Sequence, residues 1–342
     1  MINGEVRQMH VFSAYHPNSS YNIHHFVFSF QLRYIIYKHS LTPLREIEIY
    51  ISQYFIKLLV DRMFEFIKHS GDVVKKVWGT ETWIFSAHPY NPSIVKVKDE
   101  ECDFISLLEE HKEEILGSLR YSYFPLLIKI IDPRETLSVQ VHPSEEDTRR
   151  LGEKDHGKDE AWIVLSDEGF VYLGFRGSIS YEELSGDVIK KMYKVNVKRL
   201  DSINIPAGTL HALGKETKVL EVSANSNITY RVHDFGRGRE LHLDKALQVI
   251  RKRDLSELLT GSIKEKPLNA DLFKIEYHQI NNSKEFSTDS FRILVCTHGK
   301  AKVAGKQEEI QMKEGESVLV PASTEKFKIR GRDAEIFLIS AK

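Results

Sequence analysis

The amino-acid sequence predicts a mainly β protein of the β-sandwich or jelly-roll class. Many short segments are rich in β-branched and aromatic residues and are bounded by Gly, Pro, Asp or Asn, as strands between turns are. Few segments show helical periodicity. A faint internal repeat relates residues 201–211 to residues 316–326, which indicates two related β units, although two strand-turn segments can also resemble each other by coincidence.

The individual elements follow from these local patterns. Eight segments have the length and composition of strands: 83–85, 126–131, 137–142, 162–165, 170–175, 202–205, 219–222 and 228–232. Three segments are predicted to be helical: 102–119, 181–193 and 241–259. The second of these follows Ser180, and Ser180 with Glu183 has the spacing of an N-terminal capping box.

The length of 342 residues predicts two or three structural units. Residues 1–62 form an N-terminal extension that is rich in His, Tyr and Phe, with a partly helical pattern near its end. An alternative is that the natural start is Met63 and that the extension belongs to no native protein. Residues 63–260 are predicted to form one β domain with flanking helices, and residues 261–342 a second, degenerate β domain.

Charge and cysteine content argue against several classes of protein. Lys and Arg total 48, Asp and Glu total 49, and the net charge is -1, so neither nucleic acid nor a membrane surface is expected as a partner. Two cysteines, Cys102 and Cys296, exclude a disulfide framework and a Cys-rich zinc finger. Because no secretory signal or apolar membrane span is recognisable, a soluble cytoplasmic protein is expected.

One predicted strand presents an unusual polar face. Ser138, Gln140 and His142 point to the same side, because side chains two apart in a strand share a face. Roughly half of such alternating strands lie on the solvent surface, where a polar face needs no further explanation. Glu160 opens an apolar strand and is predicted to face inward with Lys158, although alone it would more often be solvated.

His211 completes a set of possible metal ligands. It follows a tight turn that contains Pro206 and Gly208, and a lone histidine in such a place usually belongs to the polar surface. Together with Gln140, His142 and Glu160 it forms a mixed nitrogen and oxygen set that suits Zn²⁺, or Fe, Co or Mn with less selectivity. Such a set leaves a coordination position for water or substrate.

Arg231 is the remaining polar residue of note. It shares a strand face with Thr229 and His233. An inward arginine in a barrel is rare unless it pairs with an anion. Spacing alone therefore favours a surface arginine paired with Asp234 or Glu221.

Three motifs in this order resemble those of type I mannose-6-phosphate isomerases: Gln140-x-His142-Pro143, Lys158-x-Glu160-x-Trp162 and Pro206-x-Gly208-x-x-His211. The third motif also resembles the second sequence motif of the cupin superfamily. Residues 78–83 and 225–234 are similar to the same isomerases. The resemblance is good over about residues 74–247, weak in the C-terminal third and absent from residues 1–62.

The resemblance implies two cupin jelly-roll barrels and a zinc-dependent aldose–ketose isomerase. Such an enzyme interconverts mannose 6-phosphate and fructose 6-phosphate through an enediol, so a small sugar phosphate is the expected partner. The implied metal ligands are His142, Glu160 and His211, with Gln140 as the fourth, for one Zn²⁺ or another divalent ion per chain. The oligomeric state stays open.

The resemblance also implies roles for further residues. Arg231 matches an active-site arginine, which replaces the surface interpretation. Lys158 matches a lysine proposed in proton transfer, and a neighbouring cation is expected to lower its pKa. His233 or a metal-bound hydroxide is an alternative base. Lys129 and Ser138 match positions that meet the substrate phosphate.

Two other functions share parts of this pattern. A cupin-type glucose-6-phosphate isomerase would also bind a metal and a sugar phosphate, but normally with three histidines and a glutamate. A non-catalytic cupin module that binds sugar would give no clear reason for Arg231 and Lys158.

Overall fold

The computed structural model of the protein describes residues 64–342. The predicted N-terminal extension and the alternative start at Met63 lie outside the described residues. No helix within the described part is long and apolar enough to cross a membrane.

Short strands dominate the described chain. Those of the N-terminal half are β1 (Ile67–His69), β2 (Asp72–Lys76), β3 (Gly79–Ile84), β4 (Ile94–Val97), β5 (Glu100–Asp103), β6 (Leu126–Pro133), β7 (Val139–Val141), β8 (Glu160–Val164), β9 (Glu168–Phe175), β10 (Met192–Lys198), β11 (Asp201–Ile205) and β12 (His211–Leu213). Those of the C-terminal half are β13 (Val219–Ala224), β14 (Tyr230–His233), β15 (Leu259–Ser262), β16 (Leu268–Asn269), β17 (Phe273–Ile280), β18 (Ser283–Ser287), β19 (Arg292–His298), β20 (Lys300–Ala304), β21 (Glu309–Lys313), β22 (Ser317–Val320), β23 (Lys326–Gly331) and β24 (Ala334–Ala341).

These strands form four antiparallel sheets. A seven-stranded sheet (β15-β11-β8-β13-β6-β3-β2) faces a five-stranded sheet (β10-β9-β12-β7-β14), and their inner faces share one apolar core that contains Trp162 and Leu173. An eight-stranded sheet (β16-β17-β24-β19-β22-β1-β4-β5) faces a four-stranded sheet (β18-β23-β20-β21) in the same way, around Leu294 and Val303. The described chain therefore contains two jelly-roll barrels, which confirms the predicted fold class.

The two larger sheets pack back to back. Ile163 and Val222 of the seven-stranded sheet share a core with Val295 and Phe337 of the eight-stranded sheet. Strands β1, β4 and β5 belong to the eight-stranded sheet, although in the chain they lie on either side of β2 and β3 of the seven-stranded sheet. The predicted domain limits therefore stay a prediction.

The internal repeat occupies equivalent places in the two barrels. After β11 the chain turns and leaves the seven-stranded sheet for β12 of the five-stranded sheet. After β22 a 3-10 turn (Ala322–Thr324) leads from the eight-stranded sheet to β23 of the four-stranded sheet. His211 is buried at the start of β12, whereas Lys326 at the start of β23 is exposed.

The helices are shorter than the sequence patterns predict. They are α1 (Phe104–Glu110), α2 (Lys112–Leu116), α3 (Glu145–Leu151), α4 (Tyr181–Ser185), α5 (Leu243–Val249) and α6 (Leu255–Leu258). The predictions for 102–119 and 241–259 are wrong in length, because each segment is divided into two helices. The prediction for 181–193 is also too long: the helix ends before Gly186, a 3-10 turn (Val188–Lys191) follows, and β10 begins at Met192. The capping box of Ser180 and Glu183 is present at the start of α4.

Helices cover the outer face of the five-stranded sheet. Val139 and Val141 of β7 pack in one apolar cluster with Leu184 of α4 and with Ala246 and Val249 of α5. Strand alternation therefore directs the other face of β7 into the first barrel.

Candidate metal centre

Three strands of the first barrel bring two histidines and a glutamate together. His142 follows β7, Glu160 opens β8 and His211 opens β12. Glu160 Oε2 lies 3.4 Å from His142 Nε2, and Glu160 Oε1 lies 3.2 Å from His211 Nε2. All three residues are buried, and one ligand atom from each lies within 4.8 Å of the others. Within residues 64–342 this is the single cluster of its kind.

The turn before β12 explains the motif around His211. Gly208 adopts φ +86°, and a Cβ at this position would lie 2.8 Å from the carbonyl oxygen of Val249. Glycine satisfies both the left-handed backbone and the close approach. The backbone N–H of Gly208 donates to the carbonyl oxygen of His142 at 2.8 Å, so the turn fastens the two histidine-bearing segments together.

Hydrogen bonds orient both imidazole rings towards Glu160. His142 Nδ1 donates to the carbonyl oxygen of Ile228 at 2.7 Å, and His211 Nδ1 donates to that of Thr209 at 2.9 Å. Each Nε2 then presents a lone pair, because a neutral imidazole carries its proton on one nitrogen. Backbone partners of this kind are typical behind metal-ligating histidines.

Two buried polar atoms of the cluster have no hydrogen-bond partner among the described residues, namely His142 Nε2 and Glu160 Oε1. Burial, followed by the charge of Lys158, lowers the pKa of His142 to about 4, so the ring is neutral at pH 7. A divalent cation would satisfy both atoms, and neutral imidazole with carboxylate is a donor set that suits zinc. The residues present therefore fit a metal site.

Gln140 lies beside this cluster. Gln140 of β7 lies opposite His211 of β12 in the register of the two strands, and Gln140 Nε2 lies 3.3 Å from His211 Nε2. Its Oε1 accepts a hydrogen bond from Ser138 Oγ at 3.4 Å. A half-turn of the amide would present Oε1 to the cluster instead, so Gln140 as a fourth ligand stays a prediction.

Lys158 lies between two buried carboxylates. Its Nζ is 2.5 Å from Glu160 Oε2 and 3.1 Å from Glu221 Oε1. Burial alone would lower the pKa of Lys158, but Glu160 and Glu221 together raise it above its usual value. The lowering of this pKa that is expected beside a bound cation stays a prediction.

Lys129 is buried on β6, and its positive charge is also balanced by two carboxylates. Its Nζ lies 3.6 Å from Glu81 Oε2 and 3.9 Å from Glu221 Oε1, and 4.4 Å from the ring centroid of Trp83. The indole of Trp83 donates to Glu81 Oε2 at 2.8 Å. Acidic and basic side chains thus alternate from Glu81 through Lys129, Glu221 and Lys158 to Glu160.

Sequence reasoning did not assign site roles to Glu81 or Glu221. Glu221 was considered only as a surface partner of Arg231, yet it stands between apolar neighbours in β13, where every residue is buried. A lone charge in an apolar strand indicates a buried partner, and this signal was present in the sequence. Glu81 alternates with threonines in β3 and gives no such signal.

Arg231 is half-buried and lies next to Gln140 in the register of β7 and β14. Its Nη1 donates to the carbonyl oxygen of Glu240 at 2.9 Å, and its Nε has no hydrogen-bond partner in the described part of the chain. Asp234 pairs with Arg237 and Arg239, while Glu221 pairs with Lys129 and Lys158. The pairing of Arg231 with Asp234 or Glu221, which spacing alone favours, is therefore wrong, because both carboxylates pair with other side chains. His233 packs edge-to-face against Phe235, with ring centroids 4.8 Å apart.

Two family models match the chain. The model of the phosphomannose isomerase type I catalytic domain matches residues 66–162, and that of the mannose-6-phosphate isomerase cupin domain matches residues 263–340.

Curated relatives and solved structures are similar over most of the chain. A mannose-6-phosphate isomerase of Streptococcus mutans is 32% identical over 278 residues, which cover 75% of this chain and 86% of that protein. A mannose-6-phosphate isomerase of Bacillus subtilis is 30% identical over 273 residues, covering 73% and 86%. The structure of a putative mannosephosphate isomerase from Archaeoglobus fulgidus is similar with a TM-score of 0.75 and 28% identity, and the match covers 82% of this chain and 99% of that one.

Proposed function

The chain belongs to the type I phosphomannose isomerase family, and from this membership we propose that it interconverts mannose 6-phosphate and fructose 6-phosphate through an enediol. The observation that carries the proposal is the convergence of His142, Glu160 and His211 inside the first barrel. Such an open set of nitrogen and oxygen donors is typical of catalytic metal sites.

We assign His142, Glu160 and His211 as ligands of one Zn²⁺ per chain, with Gln140 as the fourth ligand. The two unpartnered buried atoms, His142 Nε2 and Glu160 Oε1, support this assignment. When bound there, zinc supplies a Lewis acid that polarises the oxygens of the sugar.

Arg231 is the group that stabilises negative charge on the sugar oxygens. Formation of the enediol places negative charge on oxygen, and a guanidinium that is already fixed stabilises it without reorganisation. One edge of the guanidinium is held by Glu240, while Nε has no hydrogen-bond partner within residues 64–342.

Lys158 is the proton-handling group. In the metal-free chain its Nζ holds a proton at neutral pH, because Glu160 and Glu221 raise the pKa of Lys158. We therefore give Lys158 the role of donating a proton to a sugar oxygen, and the base that takes the proton from carbon is a separate group. His233, two residues after Arg231 on β14, is the candidate for that base.

Lys129 and Ser138 are proposed to bind the substrate phosphate. A lysine is a suitable phosphate partner, but the charge of Lys129 is already balanced by Glu81 and Glu221. Phosphate binding would therefore compete with these carboxylates, and kinetic measurements on Lys129→Met test this role.

The family membership favours this isomerase over the two alternatives, a cupin-type glucose-6-phosphate isomerase and a non-catalytic sugar-binding module. A sugar phosphate is the one partner that we propose, with neither nucleic acid nor membrane. A cytoplasmic location is also proposed, since Cys102 and Cys296 are both free thiols. Cell fractionation tests this location, and recovery with the membrane or secreted fraction would contradict it.

A coupled assay tests the function. Purified, zinc-loaded protein is mixed with mannose 6-phosphate, and fructose 6-phosphate is detected by a coupling enzyme. We expect turnover that EDTA abolishes and that added zinc restores. Turnover of glucose 6-phosphate alone would support the first alternative, and no turnover with a full complement of metal would support the second.

A further inference from the structure

A loop of nine residues, 234–242, follows β14 and leads into α5. We call it the arginine loop, because it contains Arg237 and Arg239 and because it contacts Arg231. Its first residue follows β14, which is paired with β7, and its last residue, His242, accepts a hydrogen bond from the backbone N–H of Arg231.

The arginine loop holds Arg231 at three points. The backbone N–H of Arg231 donates to His242 Nδ1 at 3.1 Å, and the backbone N–H of His242 donates to the carbonyl oxygen of Arg231 at 2.7 Å. The guanidinium itself is held by the carbonyl oxygen of Glu240, which accepts from Nη1 at 2.9 Å. The position of the guanidinium therefore depends on the path of the loop near Glu240.

Asp234 fixes that path. Its buried carboxylate accepts from the backbone N–H of Arg239 at 3.2 Å and from Arg239 Nε at 3.0 Å. It also accepts from Arg237 Nε at 3.2 Å. Arg237 Nη1 in turn donates to the carbonyl oxygen of Thr136 at 2.8 Å, which fastens the loop to the segment before β7.

The other contacts that shape the loop are local: the carbonyl oxygen of Asp234 accepts from the backbone N–H of Arg237 at 3.1 Å and from Arg237 Nε at 2.9 Å. Gly236 and Gly238 have φ +78° and +74°, and a Cβ at either position would contact nothing within 4 Å. Phe235 has φ +51° and is 39% exposed, so it does not anchor the loop in an apolar core. Without the carboxylate of Asp234, the like charges of Arg237 and Arg239 would stand unpaired beside Arg231.

We infer that Asp234 is a positioning residue for the proposed reaction: through Arg237, Arg239 and the arginine loop, it holds the Arg231 guanidinium in place. This inference rests on the proposed function, in which Arg231 stabilises charge on the sugar. It assigns Asp234 no contact with substrate or metal.

The first test uses Asp234→Asn, which keeps the size of the side chain and removes its charge. We expect kcat with mannose 6-phosphate to fall by about 10- to 100-fold, because a misplaced catalytic group costs about that much. KM should change less than about threefold, and the zinc content should be unchanged. Glu335→Gln is the matched control, because Glu335, on β24 of the second barrel, is another buried carboxylate that binds an arginine, Arg199. The control should keep the kcat of the original protein.

A double-mutant cycle separates positioning from a general structural role. If Asp234 acts through Arg231, Asp234→Asn should change kcat less than about twofold when Arg231 is already alanine. An undiminished effect of Asp234→Asn in the Arg231→Ala background would overturn the inference.

A third measurement does not require activity. Arginine side-chain NMR of the zinc-loaded protein follows the Nε–Hε signal of Arg231, assigned by its absence in Arg231→Lys. We expect this signal to move or broaden in Asp234→Asn and to stay in place in Glu335→Gln. An unchanged signal in Asp234→Asn would refute the positioning role, whether or not the protein turns over mannose 6-phosphate. A failure to turn over mannose 6-phosphate would by itself refute only the proposed function.

Discussion

Glu160→Gln is the substitution that most sharply separates the charge of the proposed metal ligand from its shape. The amide has nearly the size of the carboxylate, so packing in the barrel should be preserved. The change removes the negative charge that lies 2.5 Å from Lys158 Nζ and within 3.4 Å of both imidazoles. Lys158 then keeps Glu221 as its one carboxylate partner within the described chain.

The cost can be worked out for the metal-free protein. Removing one partner of a buried ion pair costs about 3–5 kcal/mol. Because the amide oxygen of glutamine can still accept from Lys158, we expect the lower end, about 3 kcal/mol. With about 2 °C in Tm per kcal/mol for a chain of this size, the metal-free variant should melt about 6 °C lower. Its zinc affinity should fall by more than about 100-fold, since changes behind the ligands alone cost about 10- to 100-fold.

Two measurements on the same preparation check these values. Thermal unfolding of protein stripped with EDTA gives the stability change, and titration of zinc against a competing chelator gives the affinity. Glu335→Gln serves as the control for loss of a buried carboxylate and should keep the zinc affinity. If Glu160→Gln bound zinc as tightly as the original protein, Glu160 would not be a ligand and the reasoning would be refuted.

Three further predictions concern neighbouring residues. Arg231→Ala should leave one zinc per chain and lower kcat by about 10²–10³-fold; a change in KM alone, measured by steady-state kinetics, would make Arg231 a binding residue instead. The metal-free protein should become more stable between about pH 4 and pH 6.5, because the unfolded chain binds a proton on His142 that the folded chain, with a pKa of about 4, does not. The gain in the free energy of unfolding is at most about 3 kcal/mol. Urea unfolding at several pH values should show that this free energy rises more steeply with pH in the original protein than in His142→Gln. Equal slopes in the two proteins would contradict the prediction. Lys129→Met should raise KM for mannose 6-phosphate and weaken inhibition by inorganic phosphate; a loss of stability with unchanged KM would leave Lys129 only its role in balancing Glu81 and Glu221.

The sequence was most informative where a local rule determines the direction in which a side chain points. Strand alternation placed Gln140 and His142 on one face, and the structure buries that face inside the barrel while Val139 and Val141 pack against helices. The solvent-exposed alternative for this strand is thereby excluded, since His142 is 2% exposed. The tight turn before His211 was likewise predictable, because glycine satisfies the positive φ that the turn requires.

Long-range partners were the part that could not be predicted. Glu221, far along the chain on β13, lies beside Lys158 as a second carboxylate, and Glu160 and Glu221 together raise the pKa of this lysine in the metal-free chain. Helix ends were missed for the same reason. Residues 181–193 have a good N-terminal signal, but the pairing of Met192 with Phe175 of β9 takes the end of this segment into a strand.

A crystal structure of the zinc-loaded protein, together with metal analysis of the active enzyme, is the decisive test of the proposed metal site. We expect one zinc per chain, bound by His142 Nε2, His211 Nε2 and a carboxylate oxygen of Glu160 at about 2.0–2.2 Å. A fully active enzyme whose zinc is bound elsewhere, or that contains no metal, would contradict it.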